Sequence, residues 1–323
     1  MKCINRKFMI TSLCLLCSIF LLTGCSGSKM LVTEHLENHY NENVYENRLH
    51  AQELCVSAED VTLEGLEGDE DLHAAGLFDL KGQEVLYADS IHEKLYPASI
   101  TKIMTALLAI ENGNLDDEVT ISSTAAASAF PIYAQVLGLR EGEVWTLRDL
   151  LYGVLLYSGN DTASAVAEYV GTTQEGFVEM MNTRSQELLA NNTHFTNPHG
   201  LHDPEHYTTA YDVYLIFNEC LKHQEFVDII KTSSYEATYR TQNGTEAKKE
   251  FKPTNLYAKN LVEHPQNAVV VGGKTGTTDE AGYCLILLDY DSVNRPYVSI
   301  VMGAPTKARL YHDMTAMIEA IPQ

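Results

Sequence analysis

Residues 96–108 read Tyr96-Pro97-Ala98-Ser99-Ile100-Thr101-Lys102-Ile103-Met104-Thr105-Ala106-Leu107-Leu108. Ile100, Ile103, Met104, Leu107 and Leu108 recur at i, i+3, i+4, i+7 and i+8, the stripe of a helix buried on one side. Pro97 stands just upstream, where its fixed φ suits a helix start, and Asn112-Gly113-Asn114 supplies the stop. Ser99 and Lys102 therefore fall in the first turn of a strongly apolar helix. Positions i and i+3 share a helix face, so the Lys102 amine can approach the Ser99 hydroxyl. A free hydroxyl is a poor nucleophile until a base takes its proton. Burial against the apolar stripe lowers an amine's pKa, which suits Lys102 to that task.

Working outward, residues 74–80 and 84–87 flank the turn Lys81-Gly82-Gln83 and predict a hairpin. Downstream, residues 115 to about 220 read as mainly helical, with segments near 146–157, 160–170, 174–190 and 208–222. After a polar stretch around 230–250 the pattern turns to strands: Ala268 to Val271, Tyr283 to Tyr290 and Tyr297 to Gly303. A last helix fits Lys307 to Ile321. Strands, helices, then strands and a helix imply an α+β fold, not repeated βαβ units. One sheet is built from both ends of the chain, with a helical insertion at about 112–222.

Two further motifs follow Ser99-Ile100-Thr101-Lys102: Ser158-Gly159-Asn160 between helices, and Lys274-Thr275-Gly276 beside an apolar strand. Singly each is weak, because SxxK also occurs at Ser26 to Lys29 and SxN at Ser292 to Asn294. Read alone, Ser99 is a helix cap and the other two are turns. Together, in order and on suitable elements, they suit one cleft for serine acyl transfer. Ser158 can pass a proton to a leaving amine and Asn160 can hold a substrate amide. Lys274, with the Thr275 and Thr277 hydroxyls, offers a site for a terminal carboxylate. Gly276 lets a strand backbone approach the substrate closely.

The whole chain narrows the class further. It has 323 residues, with 45% hydrophobic and 20% charged residues, ordinary values for a globular protein. The net charge of −22 excludes nucleic acid as a partner, since such binding relies on basic residues that neutralise phosphates. Lys2, Arg6 and Lys7 precede an apolar run from Phe8 to Leu22, which is short for a membrane span but suits a signal peptide. The run ends in Leu22-Thr23-Gly24-Cys25, which resembles a bacterial lipobox. Residues 1–24 are thus expected to be cleaved, Cys25 to carry lipid on the outer side of the membrane, and 25–68 to form an acidic tether before a catalytic domain at 69–323. Cys55, Cys220 and Cys284 then remain, an odd number that leaves one disulfide open; Cys284 reads as a small buried hydrophobe.

Five segments carry a family resemblance: Tyr96 to Ala106, Leu155 to Ala163, Asn197 to Asp203, His206 to Asp212 and Gly272 to Thr278. The chain from about residue 72 onward resembles the D-alanyl-D-alanine carboxypeptidases, the low-molecular-weight penicillin-binding proteins. The resemblance implies a five-stranded antiparallel sheet flanked by helices, with a helical subdomain bearing Ser158. It also implies a Ser99 acyl-enzyme, pentapeptide stems of peptidoglycan as substrate, and acylation of the same serine by β-lactams. It further implies a mechanism without metal or cofactor, with Arg309 near the carboxylate end of the cleft. His199, His202 and His206 cluster like metal ligands but lie in a segment the family shares without one, so they are read as loop-packing residues. Many relatives continue into a second β-rich domain and an amphipathic membrane helix, whereas this sequence stops at Gln323; lipid on Cys25 is the expected replacement anchor.

Two alternatives compete. A β-lactamase needs a water-activating acid, and Glu187 with Asn191 has a suggestive spacing. The apolar pattern of Phe177, Met180, Met181, Leu188 and Leu189 makes that segment a helix with Glu187 in solvent. A non-catalytic wall-peptide-binding lipoprotein is disfavoured because every catalytic position is filled.

Overall fold

The structure, a computed structural model, describes residues 53–64, 66 and 72–322. Strands β1 (Ala74–Asp79) and β2 (Glu84–Asp89) form the expected hairpin. Its turn is held by Asp79 Oδ1, which accepts the N–H groups of Lys81 and Gly82 at 2.9 and 2.8 Å. A 3₁₀ turn, Ala98–Thr101, leads into helix α1 (Lys102–Asn112). Then come β3 (Glu118–Thr120), β4 (Val144–Thr146), α2 (Leu147–Tyr152) and a π-helical turn, Gly153–Tyr157. Helices α3 (Asn160–Gly171), α4 (Gln174–Glu187), α5 (Ala210–Cys220) and α6 (Gln224–Ile230) follow. Strands β5 (Tyr235–Arg240), β6 (Glu246–Phe251), β7 (Ala268–Thr278), β8 (Gly282–Asp291) and β9 (Pro296–Ala304) precede the last helix, α7 (Lys307–Glu319).

The main sheet has the order β2-β1-β9-β8-β7, every neighbouring pair antiparallel, and so joins both ends of the described chain as expected. Its two faces are both covered. Cys284, Ile286 and Leu288 of β8 enter one core with α1, while Leu285 and Leu287 enter a second core with α7. That double burial is why β8 reads as an unbroken apolar run instead of an alternating one. Each fully buried aliphatic side chain there contributes about 1.5–3 kcal/mol. Strand β7 lies at the sheet edge, beside the Ala98–Thr101 turn.

Three expectations need correction. A second antiparallel sheet, in the order β3-β4-β5-β6, occupies part of what read as helix and polar loop. Its strands are short or carry charged residues on an exposed face, as in Tyr235–Arg240 and Glu246–Phe251, so their apolar signal is thin. Residues 121–143 are irregular apart from a 3₁₀ turn at Ala127–Ala129. The expected tether at 25–68 also ends earlier, because the compact unit begins at Leu54. Cys55 is buried, its N–H donates to Tyr214 Oη at 2.9 Å, and its carbonyl accepts the Tyr211 hydroxyl at 3.0 Å. Val61 then pairs with Ala88 and covers the β2 edge. A few apolar anchors outweigh the acidic average of that segment. The expected signal peptide, the expected lipid site Cys25 and the rest of the expected tether lie outside the described residues. Cys55, Cys220 and Cys284 are all free and buried, so no two of them pair.

Candidate active site

Threonines open four helices: Thr146, Thr173, Thr209 and Thr306 each accept a backbone N–H of the first turn of α2, α4, α5 and α7. The Ser99 turn behaves differently. Neither it nor α1 has a side-chain cap, and Ser99 Oγ instead accepts from Lys102 Nζ at 3.0 Å. The helix-cap alternative for Ser99 therefore fails on geometry.

Lys102 is fully buried, and its ammonium also donates to Asn160 Oδ1 at 2.7 Å and to the His199 carbonyl at 2.6 Å. Burial pushes its pKa well below the usual lysine value; the nearby Lys274 cation adds to this and Asp161 opposes it. The neutral amine has two N–H groups and one lone pair. The amide oxygen and the carbonyl can only accept, so the lone pair is left facing the one partner able to donate, the Ser99 hydroxyl. That arrangement can serve as a base aimed at a nucleophile.

Ser158 follows the π-helical turn in a left-handed conformation, φ 66° and ψ 33°, which costs a non-glycine residue about 1–2 kcal/mol. Neighbouring contacts hold it there. The Gln135 carbonyl accepts the Asn160 N–H at 2.8 Å, Gln135 Nε2 donates to the Tyr157 carbonyl, and Thr254 N–H donates to the Leu156 carbonyl at 3.0 Å. Asp161, fully buried, accepts the N–H groups of Leu137, Gly138 and Leu139 at 2.8, 2.7 and 2.9 Å and so fixes the loop beyond Gln135.

Lys274 reaches across from β7, donating to Ser158 Oγ at 2.8 Å and to the Thr275 carbonyl at 2.7 Å. Its burial lowers its pKa to about 7. Gly276 is glycine for a spatial reason: a Cβ there would lie 2.9 Å from the Pro97 carbonyl oxygen and 3.1 Å from the Ile100 nitrogen. Its absence lets β7 close on the Ser99 turn.

All three motifs thus converge, with Ser99, Lys102 and Asn160 in one hydrogen-bonded set and Ser158 with Lys274 in the next. Thr275 Oγ1 lies 2.6 Å from Thr254 Oγ1, and Thr277 Oγ1 donates to the Gly276 carbonyl at 2.7 Å. Arg309 sits in the first turn of α7, its Nε 3.1 Å from Asp313 Oδ2. That helix follows Ala304, which pairs with Tyr283, itself the partner of Thr277. The start of α7 thus follows the end of β9 that lies across β8 from Thr277. No sequence motif pointed to Gln135, Asp161, Thr254 or the His199 carbonyl. Asp161 had one available signal, a carboxylate directly after SxN at a helix start.

The sequence pattern of the D-alanyl-D-alanine carboxypeptidase family matches residues 67–306. The chain is 36% identical over 241 residues to the D-alanyl-D-alanine carboxypeptidase DacF of Bacillus subtilis, covering 73% of this chain and 58% of that one. It is 32% identical over 244 residues to DacD of Escherichia coli, covering 72% and 59%. It thus spans about three fifths of the length of these relatives. Among solved structures, the Streptomyces K15 DD-transpeptidase superposes with a TM-score of 0.72 at 27% identity, covering 79% of this chain and 98% of that one. Penicillin binding protein 5 of Haemophilus influenzae gives 0.67 at 30% identity, covering 78% and 71%. With the fold, the three motifs and these likenesses in agreement, the chain belongs to the D-alanyl-D-alanine carboxypeptidase family.

Proposed function

We propose that this protein hydrolyses the terminal D-Ala-D-Ala bond of peptidoglycan pentapeptide stems through an acyl-enzyme on Ser99. The carrying observation is the fully buried Lys102 amine, 3.0 Å from Ser99 Oγ and lowered in pKa. Neutral Lys102 takes the hydroxyl proton as Oγ attacks the carbonyl carbon of the penultimate D-alanine. The tetrahedral intermediate collapses with cleavage of the C–N bond. The departing amine receives a proton from the Lys102 side, with Ser158 Oγ as carrier, and D-alanine leaves. Water, activated in the same way, then hydrolyses the ester and restores Ser99. Lys274, Thr275, Thr277 and Arg309 hold the terminal carboxylate, and the amide end of Asn160 faces the peptide. β-Lactams acylate Ser99 by the same route.

Family membership supports action on wall peptides outside the cytoplasm. Among the described residues no helix is long and apolar enough to cross a membrane. We assign attachment to lipid on Cys25, at the end of the signal-like segment. Likeness to a DD-transpeptidase favours an amine acceptor as a competing fate of the acyl-enzyme. The deciding experiment is D-alanine release from a synthetic pentapeptide ending in D-Ala-D-Ala. Ser99→Ala is expected to abolish both release and covalent labelling by penicillin; release at the wild-type rate by that variant rules the mechanism out.

A further inference from the structure

His206 is buried and its hydrogen bonds fix its tautomer. The Thr196 N–H donates to Nδ1 at 3.1 Å, which makes Nδ1 the acceptor and puts the ring proton on Nε2. Nε2–H then donates to Thr101 Oγ1 at 2.8 Å, and the Thr101 hydroxyl donates to the Ala98 carbonyl at 2.7 Å. The chain of bonds therefore ends on the residue just before Ser99. Burial holds the His206 pKa down at about 4, with Asp203 opposing and Lys102 among the cations that add to it, so the ring stays neutral at ordinary pH.

Ala98 needs such support. Its φ is 47°, a left-handed conformation that costs a non-glycine residue about 1–2 kcal/mol. Gly200, from the loop whose His199 carbonyl meets Lys102, packs directly on it. A Cβ at Gly200 would lie 1.8 Å from the Ala98 carbonyl oxygen. Relaxing Ala98 means swinging that carbonyl, and the Thr101 hydroxyl and the Gly200 backbone both stand in the way. The strained peptide leads directly into Ser99, whose Oγ meets Lys102 instead of capping the helix.

We propose that His206 and Thr101 are positioning residues that hold Ser99 in its attacking geometry through the Ala98 carbonyl. This rests on Ser99 as nucleophile. The relay touches no substrate, so its loss slows acylation and leaves binding alone. A misplacement of about 1 Å at a reacting atom costs up to roughly a hundredfold in rate.

The test compares Thr101→Val, Thr101→Ser and His206→Asn for Ser99 acylation by a fluorescent penicillin, with thermal midpoints taken on each. Thr101→Val removes the hydroxyl and keeps the shape. Its saturating acylation rate is expected to fall about tenfold to a hundredfold, with the half-saturating concentration within about threefold of wild type. Thr101→Ser is expected to restore the rate to within about threefold. A Thr101→Ser variant as slow as Thr101→Val overturns the proposal. Should Thr101→Val not fold, His206→Asn replaces it, since it removes the Nε2 donor; a wild-type rate in folded His206→Asn overturns the proposal equally. Wild-type protein that takes no label at Ser99 is a different failure, that of the nucleophile itself.

Discussion

Lys102 and Lys274 enter the cleft from opposite sides, one from a helix and one from a sheet edge, and both are buried. Lys102 meets three acceptors drawn from three separate segments: Ser99, Asn160 and the His199 carbonyl. Among the described residues Lys274 meets two, Ser158 Oγ and the neighbouring Thr275 carbonyl. An ammonium carries three N–H groups, so Lys102 is saturated while Lys274 keeps one direction for an incoming anion. Fixed geometry suits a group that takes and returns a proton without rearranging. A partly committed cation suits one that must recognise a carboxylate. Burial alone does not distinguish the two; the acceptor count does.

The largest effect is expected at Lys102. Lys102→Met keeps the apolar stem and removes the base, and acylation of Ser99 by penicillin should fall on the order of a thousandfold. Retention of a tenth of the wild-type rate would move the base to Lys274 or Ser158 and dissolve the contrast. The rate constant from stopped-flow labelling decides it.

Lys274→Gln should act on recognition and on pH. Loss of the cation is expected to raise KM for the pentapeptide about tenfold, equivalent to about 1.4 kcal/mol, with a smaller change in kcat. Wild-type Lys274 is charged below its pKa of about 7, so the proposed carboxylate recognition should weaken as pH rises through that value. The Lys274 cation also helps to keep the Lys102 pKa down, after burial. Its removal should raise the Lys102 pKa and move the ascending limb of kcat to higher pH. Lys102 must be neutral to act, which fixes that sign. An ascending limb that stays put in the variant shows that the two lysines do not sense each other.

The same contrast explains what the sequence could reveal. Helix α1 and a main sheet built from both ends of the chain were legible because Ile100, Ile103, Met104, Leu107 and Leu108 mark one face and Tyr283 to Leu288 an unbroken core strand. Ser99, Lys102, Ser158, Asn160 and Lys274 were legible as side-chain types at recurring spacings. The support around them was not. A backbone carbonyl such as that of His199 has no residue-type signature, and Asp161 acts through three backbone N–H groups far from it in sequence. The left-handed φ of Ala98 and of Ser158 is imposed by packing and runs against local preference. His206 read as packing because its partner, Thr101, lies 105 residues away. Strands β5 and β6 escaped because half of each faces solvent with charged residues.

Asp289 supplies the control for burial without a cleft. It sits in β8, fully buried, its Oδ2 accepting from Ser299 Oγ and its Oδ1 without a partner among the described residues. Desolvation raises its pKa from 3.8 to about 7, with the Ser299 hydrogen bond opposing. The folded state therefore binds more protons than the unfolded chain between those values. This group's contribution to stability is full below about pH 4 and is lost as pH rises through about 7. Asp289→Asn cannot ionise, so the variant should lose that slope and gain roughly 1–3 kcal/mol over wild type at pH 8, read by chemical denaturation across pH 4–8. Its acylation rate should match wild type within about twofold. A variant that keeps the slope would place the titration elsewhere. One that loses acylation would show that buried charge anywhere in the sheet reaches the lysines, and the acceptor count would no longer be what separates Lys102 from Lys274.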